Sequence, residues 1–216
     1  MIDFVKNKLK GDTRGIITTA RIETLSDGIF AIVMTLLVLD IKIIPPGTNE
    51  MENLMQIFRS LAPKIATYIL AFLILGSFWV AHHLQFSYIK RSNKILLWIN
   101  IVFLMSIAFI PFSTYMIHEY GGHHIVVLLF GANLTVASIL LYFNWFYAAR
   151  IGGLVDKDLD PKRIEAISWK SIAVMLVYVA ALLVSLYKID LSYYVYFLIP
   201  VLQSVVGRKF DNAQSG

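Results

Sequence analysis

"RIETLSDGIFAIVMTLLVLD", residues 21–40, decides how the chain is read. Its second half is an apolar run with the composition of a membrane helix. Its first half carries Arg21, Glu23 and Asp27, and Asp40 closes the run. Between Asp27 and Asp40 lie only twelve uncharged residues. At the α-helical rise they cover about 18 Å, well short of a hydrocarbon layer about 30 Å thick. A helix that spans here must bring part of "RIETLSD" into or near the membrane, with its charges turned to protein or water rather than lipid. Arg21 is long enough to snorkel to the interface; Asp27 is not.

The rest of the chain agrees with a membrane reading. Of 216 residues, 58% are hydrophobic and 15% charged, with a mean hydropathy of +0.69. Soluble domains carry about 25% charged residues, so an ordinary soluble core is excluded. Six apolar stretches run approximately over 22–43, 63–85, 94–117, 124–149, 166–187 and 191–206. The last is short and contains Pro200. None alternates with a period of two between turn signals, which argues against a β-barrel. The start, "MIDFVKNKLKGDTRG", lacks the apolar core and small-residue cleavage site of a signal peptide, so the first helix is expected to be retained. With no cysteine, disulfides and thiolate metal sites are excluded.

Lys and Arg set the orientation. With six spans and an internal N-terminus, 15 of the 19 basic residues fall on the cytoplasmic side and 4 outside, namely Lys42, Arg59, Lys64 and Lys188. The same distribution accounts for the pI near 9.3 without a nucleic acid partner. The expected fold is therefore all-α: a polytopic cell-membrane protein with six transmembrane helices and both termini cytoplasmic. Residues 1–20 form a cytoplasmic N-terminal segment, 21–206 one six-helix bundle, and 207–216 a cytoplasmic tail. The longest loops are expected at 44–62 and 150–165.

Helical phase separates the first helix into faces. With Leu39 at zero, Ile32 lies at about +20°, Gly28 at about −20°, Thr35 at about −40° and Leu36 at about +60°. These make one apolar stripe with a single hydroxyl. Glu23 and Asp27 fall at about 200° and 240°, on a side that needs partners from neighbouring helices. On spacing alone the stripe also fits ordinary bundle packing.

At these residues the chain resembles the prokaryotic relatives of the lysosomal potassium channel, transmembrane protein 175. That family's pattern is Arg, three residues, then Phe-Ser-Asp, followed by Gly and an apolar run with Thr-Leu-Leu. Here Arg21, Ser26, Asp27, Gly28, Thr35, Leu36 and Leu37 carry it, with Leu25 where the family usually has Phe. "FWVAHHLQF", residues 78–86, extends the resemblance through Trp79 and a histidine. The resemblance implies a homotetrameric cation channel in the bilayer, permeable to potassium and other monovalent cations, with the first helix of each subunit lining the pore. The chain likewise lacks a Thr-Val-Gly-Tyr-Gly filter loop. By position, the resemblance makes Ile32, Leu36 and Leu39 the apolar constriction and Thr35 an ion-facing hydroxyl. It makes Arg21, Ser26 and Asp27 a polar anchor for the pore helix, with Trp79 and His82 or His83 as partners.

Other features are weaker. His82-His83 and His123-His124 are adjacent pairs whose members diverge by about 100° on a helix, so each is a poor chelate, and no metal or cofactor is expected. Asn100, Asn133 and Asn144 lie within spans and suit inter-helix hydrogen bonds. Trp79, Trp98, Trp145 and Trp169 suit interfacial anchoring. No nucleophile elbow, His-Glu-x-x-His or phosphate loop is present, so an enzyme is not expected. The alternative to a channel is a proton- or cation-coupled secondary transporter that uses Asp27, Glu23 and a histidine as its ion site.

Overall fold

The computed structural model describes residues 18–39, 41, 50–188 and 195–196. Of the expected N-terminal segment 1–20, residues 1–17 lie outside the described residues and the first helix already begins at Thr19; the expected tail 207–216 also lies outside them, as does the sixth apolar stretch apart from Val195 and Tyr196. Helices follow one another along the chain: α1 Thr19–Leu39, α2 Glu50–Tyr88, α3 Lys94–Ala108, α4 Ile110–Tyr120, α5 His124–Phe146 and α6 Pro161–Tyr187. Five stretches are long and apolar enough to cross a membrane: Thr19–Leu39, Met55–Tyr88, Lys94–Tyr120, His124–Ile151 and Pro161–Tyr187. The chain is an all-helical membrane protein.

Two boundaries differ from the sequence expectation. The helix that was to begin near residue 63 begins at Glu50, so most of the expected 44–62 loop is helical. Apolar residues at Leu54, Ile57, Phe58, Leu61 and Ile65 recur at helical spacing and carry the helix through Pro63. The third apolar stretch is one span but two helices, meeting at Phe109. The physical cause is Pro111, which has no N–H to donate to the carbonyl of Ile107.

Local chemistry fixes the helix ends around the α2–α3 and α5–α6 loops. Asn93 caps α3, its side chain accepting from the N–H of Leu96 at 2.9 Å, and its amide donates to the Tyr147 hydroxyl at 2.8 Å. Asp160 caps α6, and Pro161 fills the first helical position, where no N–H is required. After α5 a π turn over Tyr147–Ile151 leads into Gly153, at φ +55°, a conformation that favours glycine. The following strand-like residue Val155 pairs with Ile89, tying the α2–α3 loop to the α5–α6 loop. The N–H groups of Lys90 and Arg91 both donate to the Leu154 carbonyl.

α1 packs along α2, α3 and α4; α5 packs along α3, α4 and α6. Two apolar clusters result. A large one includes Phe30, Val33, Leu37, Ile74, Phe78, Phe103, Phe130, Leu134 and Tyr178. A smaller one beside the α2–α3 and α5–α6 loops contains Ile22, Phe86, Leu96, Trp145, Val155 and Ile167. Trp145 belongs to this second core and is fully buried, its indole N–H donating to Ser168 Oγ at 3.0 Å. It is not the interfacial anchor its position near a span end suggested.

Tyr196 is buried against α5, edge-on to Phe130, with its hydroxyl over Gly131. A Cβ at Gly131 would meet that hydroxyl and approach Leu182 Cδ1 to 3.1 Å. Gly131→Ala is therefore expected to lower stability by about 1–3 kcal/mol through overpacking. Adding Tyr196→Phe should recover part of the loss. Thermal unfolding of the purified protein in detergent checks both, and an unchanged midpoint in Gly131→Ala would rule out this close approach.

Candidate functional site

The two apolar clusters are separated by a polar layer. On α1, Ser26 stands one turn from Ile22 of the small cluster and one turn from Phe30 of the large one. On α2, His82 lies likewise between Phe86 and Phe78. On α3, Asn100 lies between Leu96 and Phe103 or Leu104. Asn144 of α5 completes the layer. All four side chains are at most 2% exposed, in the middle of a bundle where an unpaired polar group is costly.

They bond to one another, with Asn144 Oδ1 alone of their side-chain oxygens left without a partner among the described residues. Asn100 Oδ1 and His82 Nε2 are 2.9 Å apart, and Ser26 Oγ lies 3.5 Å from the same nitrogen. Asn100 Nδ2 donates to Ser26 Oγ at 3.2 Å, and Asn144 Nδ2 donates to Asn100 Oδ1 at 3.2 Å. The Ser26 hydroxyl proton goes to the carbonyl of Ile22 at 2.9 Å, which leaves Oγ as the acceptor for Asn100. The imidazole is also stacked between rings, with centroids 4.3 Å from Phe86 and 5.6 Å from Phe103. Four helices are thus locked in one axial register by one polar constellation.

A second contact lies on the surface of the subunit. Trp79 Nε1 donates to Asp27 Oδ1 at 2.8 Å, and the His83 ring stacks on Trp79 at 5.6 Å. Asp27, Trp79 and His83 are all exposed within the chain. The polar residues singled out on α1 and α2 therefore divide: Ser26 and His82 face inward, Asp27, Trp79 and His83 outward. Arg21 is exposed; its helical phase is that of Leu39, not of Ser26.

The apolar stripe stands on the uncovered face of α1. Ile22, Ser26, Phe30, Val33 and Leu37 are buried, while Ile32 is 60% exposed, Leu36 42% and Leu39 67%. Thr35 is exposed too, and its hydroxyl donates to the carbonyl of Ile32 at 2.7 Å. A helix with mostly apolar residues on both faces needs cover on both, and the described residues of its own chain supply only one.

Sequence reasoning placed Asn100 and Asn144 among inter-helix hydrogen bonds but did not assign them to the Ser26–His82 site. The available signal was an amide in an otherwise apolar span. Which polar group it meets depends on helix register, which one sequence does not contain.

Comparison with known proteins gives a consistent set of relatives. The family model described as "Endosomal/lysosomal potassium channel TMEM175" matches residues 21–111, which include Ser26, Asp27, Trp79, His82 and Asn100. A potassium channel of Streptomyces collinus is 32% identical over 152 residues, covering 68% of this chain and 73% of that one. A potassium channel of Chamaesiphon minutus is 31% identical over 153 residues, 69% of this chain and 75% of that one. Among solved structures, the crystal structure of a lysosomal potassium-selective channel TMEM175 homologue from Chamaesiphon minutus superposes with a TM-score of 0.77 at 29% identity. It covers 87% of this chain and 96% of that one.

Proposed function

The chain belongs to the TMEM175 family of potassium channels, and from that premise we propose that it is a potassium-permeable channel subunit of the cell membrane. Four copies assemble with α1 of each around a central pore, both termini on the cytoplasmic side. The observation that carries this reading is the two-faced α1. One face is fixed to α2 and α3 by Ser26, Phe30 and Val33. The other presents Ile32, Thr35, Leu36 and Leu39 with no cover among the described residues of the same chain.

Four-fold symmetry turns each of these residues into a ring. Rings of Ile32, Leu36 and Leu39 side chains close the lumen by contact and dewetting. Opening requires tilt or rotation of α1, or a change of rotamer. Thr35 adds a specific element. Its proton is taken by the Ile32 carbonyl, so the hydroxyl oxygen turns its lone pairs to the lumen and serves as a ligand for a partly dehydrated cation. Discrimination of potassium from other monovalent cations is then modest, because one hydroxyl ring replaces little of a hydration shell.

The buried layer of Ser26, His82, Asn100 and Asn144 holds α1 against the rest of the subunit, and Asp27 with Trp79 braces its outer side. In a transporter, Asp27 would instead serve as a midplane ion site. Potassium efflux from liposomes containing the purified protein, compared with sodium and caesium, tests the proposal. Non-saturating flux without ion coupling is expected. Saturation with coupling to a second ion would replace the channel with a transporter, and absence of flux under every condition would leave a scaffold.

A further inference from the structure

Away from the exposed Ile32–Leu39 stripe, α1, α2, α5 and α6 leave a cleft of about 530 Å³ between them, within the size range of sites that hold amphiphilic small molecules. Its shaft is apolar, lined by Met34, Phe72, Leu73 and Leu141. From Phe72 to Gln85 the lining runs along α2 for about 20 Å, comparable to an extended acyl chain. One end differs. There Lys170 and Ser171 of α6 and Gln85 of α2 enter the wall. The neighbouring Trp169 is 64% exposed, which sets this turn of α6 at the level of the headgroups.

Gln85 is 2% exposed. Its Nε2 donates to Ser171 Oγ at 3.3 Å, while the Ser171 proton goes to the Ile167 carbonyl at 2.9 Å. That arrangement fixes the amide and leaves Oε1 with no hydrogen-bond partner among the described residues. A buried acceptor without a donor is destabilising. The site thus combines a long apolar shaft, a cation at the end that the proposed orientation makes cytoplasmic, and an acceptor that lacks a donor among the described residues.

We propose that this cleft binds an anionic phospholipid of the cytoplasmic leaflet, with one acyl chain along the shaft and the phosphate at Lys170. Phosphatidylglycerol has all the matching chemistry, because its headgroup hydroxyls supply donors for Gln85 Oε1. Basic pockets between transmembrane helices on the cytoplasmic side recognise anionic headgroups in this way. The inference concerns binding and stands apart from ion conduction.

Native mass spectrometry of the full chain, purified in detergent and given equal amounts of phosphatidylglycerol and phosphatidylcholine, tests it. Phosphatidylglycerol should be retained about fivefold more, the contribution expected of one lysine at the membrane surface. Lys170→Gln should bring the two lipids to near-equal retention. Lys162→Gln, an exposed lysine outside the cleft, should preserve the preference. Val80→Trp, at a lining residue 56% exposed, should fill the cleft and reduce retention of both lipids. Equal retention by the unaltered protein overturns the proposal. So does a preference that survives Lys170→Gln, or one abolished equally by Lys162→Gln. Dissociation of the oligomer by Val80→Trp, with lipid retention unchanged, would make the cleft a contact between copies instead.

Discussion

Potassium flux through liposomes carrying Ile32→Asn or Leu39→Asn is expected to rise about tenfold over that of the unaltered protein. A closed apolar constriction excludes ions because its lumen is poorly wetted. An Ile or Leu side chain represents about 1.5–3 kcal/mol of apolar transfer, and in the proposed tetramer four symmetric copies change together. A lowering of the barrier by only about 1.4 kcal/mol gives a factor of ten in rate. Both residues are more than half exposed, at 60% and 67%, so neither change removes core packing from the subunit. Val38→Asn is the matched control, since Val38 is 48% exposed but lies about 100° from Leu39 around the helix. Unchanged flux in both stripe variants would remove these residues from the pore.

Asn100→Ala is expected to cause the largest loss of stability of any single change in the polar layer, about 2–4 kcal/mol. Asn100 is fully buried and joins Ser26, His82 and Asn144. Inter-helix hydrogen bonds in membranes average about 0.6 kcal/mol each, so three account for about 2 kcal/mol. The remainder comes from the void and from partners left unpaired in the interior. At about 2–4 °C per kcal/mol for a chain of this size, the unfolding midpoint in detergent should fall by roughly 5–15 °C. Asn133→Ala is the comparison. Its amide Nδ2 has no partner among the described residues, and its removal should shift the midpoint by less than about 2 °C. Equal effects of the two changes would mean that the layer adds nothing beyond ordinary burial.

Membrane class and five of the six expected apolar spans were legible because apolar length is a local property; the sixth lies outside the described residues apart from Val195 and Tyr196. Where the structure departs from the sequence expectation, the cause is specific. The expected loop before α2 reads as polar at "PPGTNE", yet apolar residues recur at helical spacing from Leu54 onward and extend α2 back to Glu50. The break at Phe109 follows from Pro111, which the run of apolar residues around it masks. Trp145 sits at a span end but faces inward, because Ser168 of α6 offers its indole an acceptor.

The site divides along the same line. The spacing of Arg21, Ser26 and Asp27, and the phase of Ile32, Thr35, Leu36 and Leu39, follow from 3.6 residues per turn and are present in the sequence by itself. Ser26 and Asp27 are neighbours in the chain, but one turns into the bundle toward His82 and Asn100 and the other outward to Trp79. Helical period determined that these two residues diverge. Only the packing of α1 against α2, α3 and α4 decided which of them is buried, because a hydrogen bond between helices depends on their axial register and rotation, and those are set by the fit of side chains distant in sequence.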